Sequence, residues 1–289
     1  MNANNNENGA AYASVAVRAG NGRLSGARAR LGGFWAHLPQ KILSLRRLLG
    51  IAVFFALWEL LPRAGFVNKN FLTPFTTVVA TFANLLRSGV LIKHIGVSLQ
   101  RSAIGLSLGF AISIPLGILI ASFKRLEYYL DPLIQTLRQT SIIALLPVFL
   151  LLFGIKESAK YAIVCWGVWA PLLLNTINGV KGVDPILIKA ARAMGATRLI
   201  VYTRVIFPSA FPSVVTGLRL AATSSLLVLT AAEMMGASSG LGYLIHYSQS
   251  LYQVPNMYAA ILTMSLLGIL TNYLLVQLEK RVTRWKPKT

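Results

Sequence analysis

The sequence is poor in the residues with which most enzymes do chemistry. Of its 289 residues only eight are Asp or Glu, three are His and one is Cys. The single Cys165 excludes a disulfide framework and a thiolate metal cluster within one chain. His37, His94 and His246 fall in different segments far apart, which argues against a histidine metal centre. Acids and histidines this sparse also argue against a membrane-embedded enzyme, which needs a converging acid, base or metal set. No stretch reads G-x-x-x-x-G-K-[ST] and the dipeptide Gly-Lys never occurs, so the chain has no Walker-type phosphate loop. Charge is scarce as well, at 12% of residues.

What is present is apolar. A hydrophobic content of 55% and a mean hydropathy of +0.62 give more apolar surface than a soluble domain of this size can hide, which places the chain in a bilayer. The net charge of +20 could suggest nucleic acid, but these basic residues flank apolar runs instead of gathering on a soluble face. The runs are Leu48 to Leu61, Ala103 to Phe123, Leu130 to Phe153, Tyr161 to Val180, Ser213 to Gly236 and Met257 to Leu278. Most reach the length of about 20 residues that crosses a hydrocarbon core of roughly 30 Å. The first is short unless it extends through Ile42 to Leu45 while Arg46 and Arg47 snorkel to the headgroups. The expectation is an all-α integral membrane protein with six transmembrane helices. Residues 1–40, rich in Asn, Ala, Gly, Ser and Arg, read as a disordered basic cytoplasmic tail ahead of a transmembrane domain at 41–289.

With the N-terminus inside, 20 of the 28 Lys and Arg fall on the cytoplasmic side, as membrane topology favours. One connection dissents, because Arg63, Lys69, Arg87, Lys93 and Arg101 all fall in the first outside loop. That stretch is amphipathic around Phe82 to Ile95, so its charges are expected along the interface. The last outside connection, Ala237 to Pro255, carries no charge and opens Ala-Ser-Ser-Gly-Leu-Gly. It suits either a closing or docking surface or a plain turn. Arg138 and Glu233 are the costly residues of the apolar runs, since an ionised group inside the bilayer must face protein or water. Arg138 can meet an anion, snorkel to the cytoplasmic end of the third span, or pair with an acid. Glu233 would repel an anion, which favours a structural or gating role. Asn175, Thr176, Ser224 and Ser225 can line a polar path or satisfy helix packing. Gly105 and Gly109 form a G-x-x-x-G that permits close helix approach, within one subunit or at a dimer seam. Pro115, Pro132, Pro147 and Pro171 are placed to bend or break their helices.

Between the fourth and fifth spans lies a basic amphipathic segment, Lys189 to Pro208. Leu187, Ala190, Ala191 and Met194 recur at helical spacing, with Lys189 and Arg192 on other faces. Asp184 is placed to cap this helix, Pro185 takes its first position and Gly195 ends it in the left-handed conformation. Thr197 is placed to cap a second helix carrying Leu199, Tyr202 and Ile206, which Pro208 and Pro212 stop before the chain restarts as the fifth span.

Ala190-Ala191, Gly195 and Pro208 together resemble the cytoplasmic signature of ATP-binding-cassette importer permeases of the type I fold. Trp58-Glu59, Ile114-Pro115-Leu116-Gly117, Leu146-Pro147, Phe153-Gly154-Ile155, Thr216-Gly217-Leu218-Arg219, Ala232-Glu233 and Ser239-Gly240-Leu241-Gly242-Tyr243 extend the resemblance after residue 45. They are similar to the sulfonate, taurine and nitrate branch. Lys189 departs from the family, which commonly has Glu there, as do Val205 and Phe207, where Ile and Leu are common. The resemblance implies a coupling helix at Leu187, Lys189, Ala190, Ala191, Arg192, Met194 and Gly195 that docks on an ATPase. It implies a homodimer of permease subunits in a bacterial inner membrane, two ATP-binding subunits and an external solute-binding protein. No cofactor is expected in this chain, with ATP and Mg on the partner. The rival is an ion-coupled secondary transporter, which calls for intramembrane carboxylates and usually an internal repeat. Glu233 is one such carboxylate, and no convincing repeat is evident.

Overall fold

A computed structural model describes residues 40–68 and 71–283. The basic tail lies outside the described residues up to position 39, His37 with it. Among the described residues every regular element is helical.

The described residues fall into two units that part between Ala64 and Gly65. The first contributes α1, Gln40–Arg63, in which Glu59 pairs with Arg63 one turn on at 2.5 Å. Leu49, Val53, Phe54, Leu57 and Leu60 along it are exposed.

The second unit contains α2 (Phe75–Arg87), α3 (Val90–Ser122), α4 (Lys124–Gln139), α5 (Ile142–Phe153), α6 (Glu157–Lys181) and α7 (Pro185–Ala193). It continues with α8 (Arg198–Gly236), α9 (Leu241–Ser250) and α10 (Val254–Val282). Four of these, α3, α6, α8 and α10, are long and apolar enough to cross a membrane. Helix α1 is not among them, having Lys41, Arg46, Arg47, Glu59 and Arg63 within its 24 residues. The expected span from Leu130 to Phe153 is not one continuous helix: α4 and α5 meet at a bend of 95°. Thr140 and Ser141 both take extended backbone angles there, so the chain turns at two polar residues and not at Pro132 or Pro147, which lie inside their helices. Helix α4 is amphipathic, and Arg138 sits exposed in its last turn, not within an apolar span.

Three other boundaries moved. Helix α3 begins thirteen residues before Ala103, because Gly89 (φ +76°) makes the turn out of α2 and the polar residues that follow are already helical. The neutral connection Ala237 to Pro255 is largely helix α9. Pro208 and Pro212 do not stop the helix that follows Thr197. The chain widens into a π-helical stretch at Val201–Ile206, with the Phe207 N–H donating to the Tyr202 carbonyl five residues back, and runs on as α8. A wider turn makes room for a proline ring and its missing donor without breaking the axis.

The core is α6 packed between α3 and α8. Val164, Val168, Leu172, Ala221 and Leu229 are fully buried there. Glycines set the spacing: a Cβ on Gly105 would lie 2.5 Å from Val164, on Gly109 2.3 Å from Val168, and on Gly217 2.7 Å from Asn175. The G-x-x-x-G of α3 therefore packs within one subunit. A second cluster, Leu91, Leu244, Ile245 and Ala260, joins α3, α9 and α10 and is flanked by Phe82 and Leu85 of α2. Outward faces stay apolar, with Phe110 and Ile112 of α3 and Ile269, Leu270 and Leu274 of α10 exposed, as hydrocarbon solvent requires.

Gly109→Leu is expected to lower unfolding free energy in detergent by about 1–3 kcal/mol through overpacking against Val168. Gly268→Leu, where a Cβ meets nothing within 4 Å, is expected to change little. Equal behaviour of the two variants would mean that α3 and α6 do not approach this closely.

Candidate functional site

Helix α7 is closed at both ends by its own sequence. Asp184 Oδ1 accepts the Ile186 N–H at 2.8 Å, and Pro185 occupies the first position, where no donor is needed. At the other end Gly195 takes φ +79°. The Ala196 N–H donates to the Ala191 carbonyl at 3.1 Å and the Gly195 N–H to the Arg192 carbonyl at 3.0 Å, a Schellman closure. Thr197 Oγ1 then caps the start of α8, accepting the Ile200 N–H at 3.5 Å.

The two faces of α7 differ from the sequence expectation at one residue. Ala191 is turned inward, packed with Val183, Val201 and Ile206 against the π-helical stretch. It anchors α7 to its own chain and is not part of an outward apolar face. The large apolar side chains exposed here are Ile186 (69%) and Leu187 (49%) on α7, Met194 (81%) just after it, and Leu199 (73%) and Ile200 (47%) at the start of α8. Lys189, Ala190 and Arg192 are exposed beside them. A rigid, capped helix thus presents bare apolar side chains with a basic rim.

The polar residues placed on a path have separate environments. Thr176 is buried and donates to the Leu172 carbonyl at 2.7 Å, while Asn175 Nδ2 donates to the Pro171 carbonyl at 2.8 Å. Both bond one turn back along α6. Ser225 is buried between helices, its Oγ 2.7 Å from Ser102 Oγ of α3. Ser224 is half-buried in a pocket shared with Arg219 and Asn272. Arg138 stands apart from all of these, exposed, with no partner among the described residues.

Glu233 sits in a cluster at the far end of the long helices. Its carboxylate accepts Ser98 Oγ at 2.9 Å, Arg101 Nη1 at 2.8 Å and the Gly242 N–H at 2.9 Å. Arg101 also forks onto Glu157, Nε to Oε2 at 2.6 Å and Nη2 to Oε1 at 2.7 Å, and donates to the Ser239 carbonyl. Lys160 adds a second cation on Glu157 at 3.1 Å. Two cations and two carboxylates balance. Gly240, at φ +114°, lies flat on this cluster: a Cβ there would fall 2.2 Å from Glu233 Oε1. Its N–H is accepted by His94 Nδ1 at 2.9 Å. The cluster therefore ties α3, α6, α8 and the start of α9 together. It lies at the first residue of α6, about 36 Å along that helix from the α7 end.

A family described as "Binding-protein-dependent transport system inner membrane component" matches residues 113–284. The chain belongs to that family. It is a membrane-spanning permease of an ATP-driven transporter, not an enzyme. The permease is 36% identical, over 84% of its length and 88% of the relative's, to a protein of Bacillus subtilis described as an aliphatic sulfonates transport permease. It is 29% identical to the taurine transport system permease protein of Escherichia coli, over 81% of its length and 87% of that protein's. Among solved structures, the inward-facing MetNI methionine transporter superposes with a TM-score of 0.61 at 20% identity, covering 67% of the permease and 96% of that chain. That likeness shows the fold.

Two arginines of the permease escaped the sequence reading. Arg101 was assigned to an interfacial loop but is buried inside α3. Arg219, read only as part of Thr216-Gly217-Leu218-Arg219, lies within α8 with its Nη1 on Glu279 Oε2 at 2.7 Å. The signal for Arg101 was the polar face Ser98, Arg101, Ser102 and Gly105 at helical spacing, which continues the G-x-x-x-G face of α3.

Proposed function

We propose that this chain is the transmembrane subunit of an ATP-driven importer for a small anion, such as an alkanesulfonate, taurine or nitrate. It works as a homodimer in a bacterial inner membrane with its N-terminus inside, α1 and the α4–α5 pair supplying the spans that bring the count to six. Two ATP-binding subunits, which hold the ATP and Mg, dock on the cytoplasmic face, and an external solute-binding protein delivers the anion. The observation that carries this reading is α7: a helix capped at both ends, joined to two long membrane helices, whose apolar residues Ile186, Leu187 and Met194 stand exposed among the described residues. The family match and the sulfonate and taurine relatives support the substrate class.

The mechanism is mechanical. Leu187 and Met194 enter the ATPase, with Ile186 and Leu199 beside them and Lys189, Ala190 and Arg192 at the rim. Ala191 and Gly195 hold α7 to α6 and α8, so closure of the ATPase pair moves both helices. At the opposite end the Arg101–Glu233 cluster keeps α3, α6, α8 and α9 moving as one body. The test is uptake of labelled ethanesulfonate, taurine and nitrate in cells with and without the gene. At least one uptake is expected to require the chain, to stop when ATP is depleted and to survive collapse of the ion gradients. Uptake that follows an imposed gradient without ATP would favour a secondary transporter instead.

A further inference from the structure

Helices α8 and α10 border an open pocket of about 480 Å³ lined by Arg219, Leu220, Thr223, Ser224, Asn272 and Val276. Its size suits a small ligand. Three other pockets, along α3, α6 and the π-helical stretch, are lined almost wholly by apolar surface. This one is rich in donors. Both helices are long and apolar enough to span the bilayer, and polar groups opening outward from them are satisfied by water, headgroups or a second subunit, not by hydrocarbon. Asn272 and Thr223 are exposed, Arg219 is one-third exposed and Ser224 is half-buried.

The hydrogen bonds show what is left over. Arg219 gives Nη1 to Glu279, and Thr216 Oγ1 gives the same carboxylate a second bond at 2.7 Å. Among the described residues nothing accepts from Arg219 Nε or Nη2, and neither Ser224 Oγ nor the Asn272 amide has a partner. Thr223 donates only to the Arg219 carbonyl one turn back, at 3.1 Å. A guanidinium with spare donors beside a hydroxyl and an amide matches an oxyanion, which accepts on several oxygens at once. The resident acceptor is Glu279.

Building on the anion-importer reading above, we propose that this pocket is an anion-binding station on the transport path, where Arg219 exchanges Glu279 for the oxyanion head of the substrate. Ser224 and Asn272 donate to the other oxygens. Because the guanidinium trades one carboxylate for another anion instead of gaining a first partner, net binding stays weak enough for release. A transport pathway needs both entry and exit.

The experiment uses the complete transporter in proteoliposomes and whichever of ethanesulfonate, taurine and nitrate the wild type accumulates. Arg219→Gln is expected to lower uptake at sub-saturating substrate on the order of 10- to 100-fold, the worth of a charge-assisted hydrogen bond. Asn272→Leu is expected to raise KM several-fold, and Glu279→Gln to lower KM, since the competitor is weakened. A purely structural ion pair predicts equal loss for Arg219→Gln and Glu279→Gln, with lower melting temperature in both, and that result would overturn the proposal. So would unchanged uptake in Arg219→Gln. If the ligand were a lipid phosphate, the Arg219→Gln defect would track the anionic-lipid fraction while substrate KM stayed constant, which also overturns it. A wild type that accumulates none of the three anions would remove the importer reading itself, and this proposal with it.

Discussion

Arg101→Met is expected to be the most damaging single substitution in the permease, lowering its unfolding free energy by about 3–5 kcal/mol. The arginine is 3% exposed and neutralises a carboxylate, Glu233, that is 1% exposed. Without it Glu233 keeps, among the described residues, Ser98 and the Gly242 N–H, and a buried charge with no counter-ion is far more costly than a lost contact. Glu157 is spared because Lys160 remains beside it. The double variant Arg101→Met/Glu233→Met removes one charge of each sign and is therefore expected to recover most of the loss. Chemical unfolding of the four proteins of this cycle in detergent measures the coupling directly. Additive losses would mean that the two side chains do not act as a pair.

Met194→Glu is expected to leave the permease folded and in the membrane while weakening its co-purification with the ATPase on the order of 100-fold or more. Met194 is 81% exposed, so the change costs the isolated chain little. In the docked state it removes the burial of a large apolar side chain and demands desolvation of a carboxylate. Ala191→Glu behaves differently in this account. Ala191 is 7% exposed and packed against Val201 and Ile206, so a carboxylate there is expected to damage the permease itself, seen as lower yield and melting temperature before any partner is added. Full ATPase association in Met194→Glu would remove α7 as the docking element.

Much of the scaffold was legible because its signals are local. Asp184, Pro185, Gly195 and Thr197 each act within a few residues, and each occupies the position in the structure that its chemistry assigned to it. Gly105 and Gly109 likewise pack at a helix contact. Long apolar runs located α3, α6, α8 and α10, although hydropathy could not show that α3 begins at Val90. Hydropathy is also blind to backbone angles, and so the turn at Thr140 and Ser141 passed unseen inside one apolar run. Pro208 misled for a related reason: a widened turn absorbed a residue that ordinarily ends a helix. The Arg101 cluster was illegible because its partners lie 56 to 138 positions away in the chain. A charge beside an apolar run reads as an interfacial residue until its counter-ions are brought to it from another helix.

The most direct test of the central claim is accumulation of a labelled anion in proteoliposomes made with the permease alone, and with the permease, its ATPase and its binding protein. The account predicts concentrative uptake only in the complete system, only with hydrolysable ATP, and none when Met194→Glu replaces the wild type. Concentrative uptake by the permease alone would contradict it.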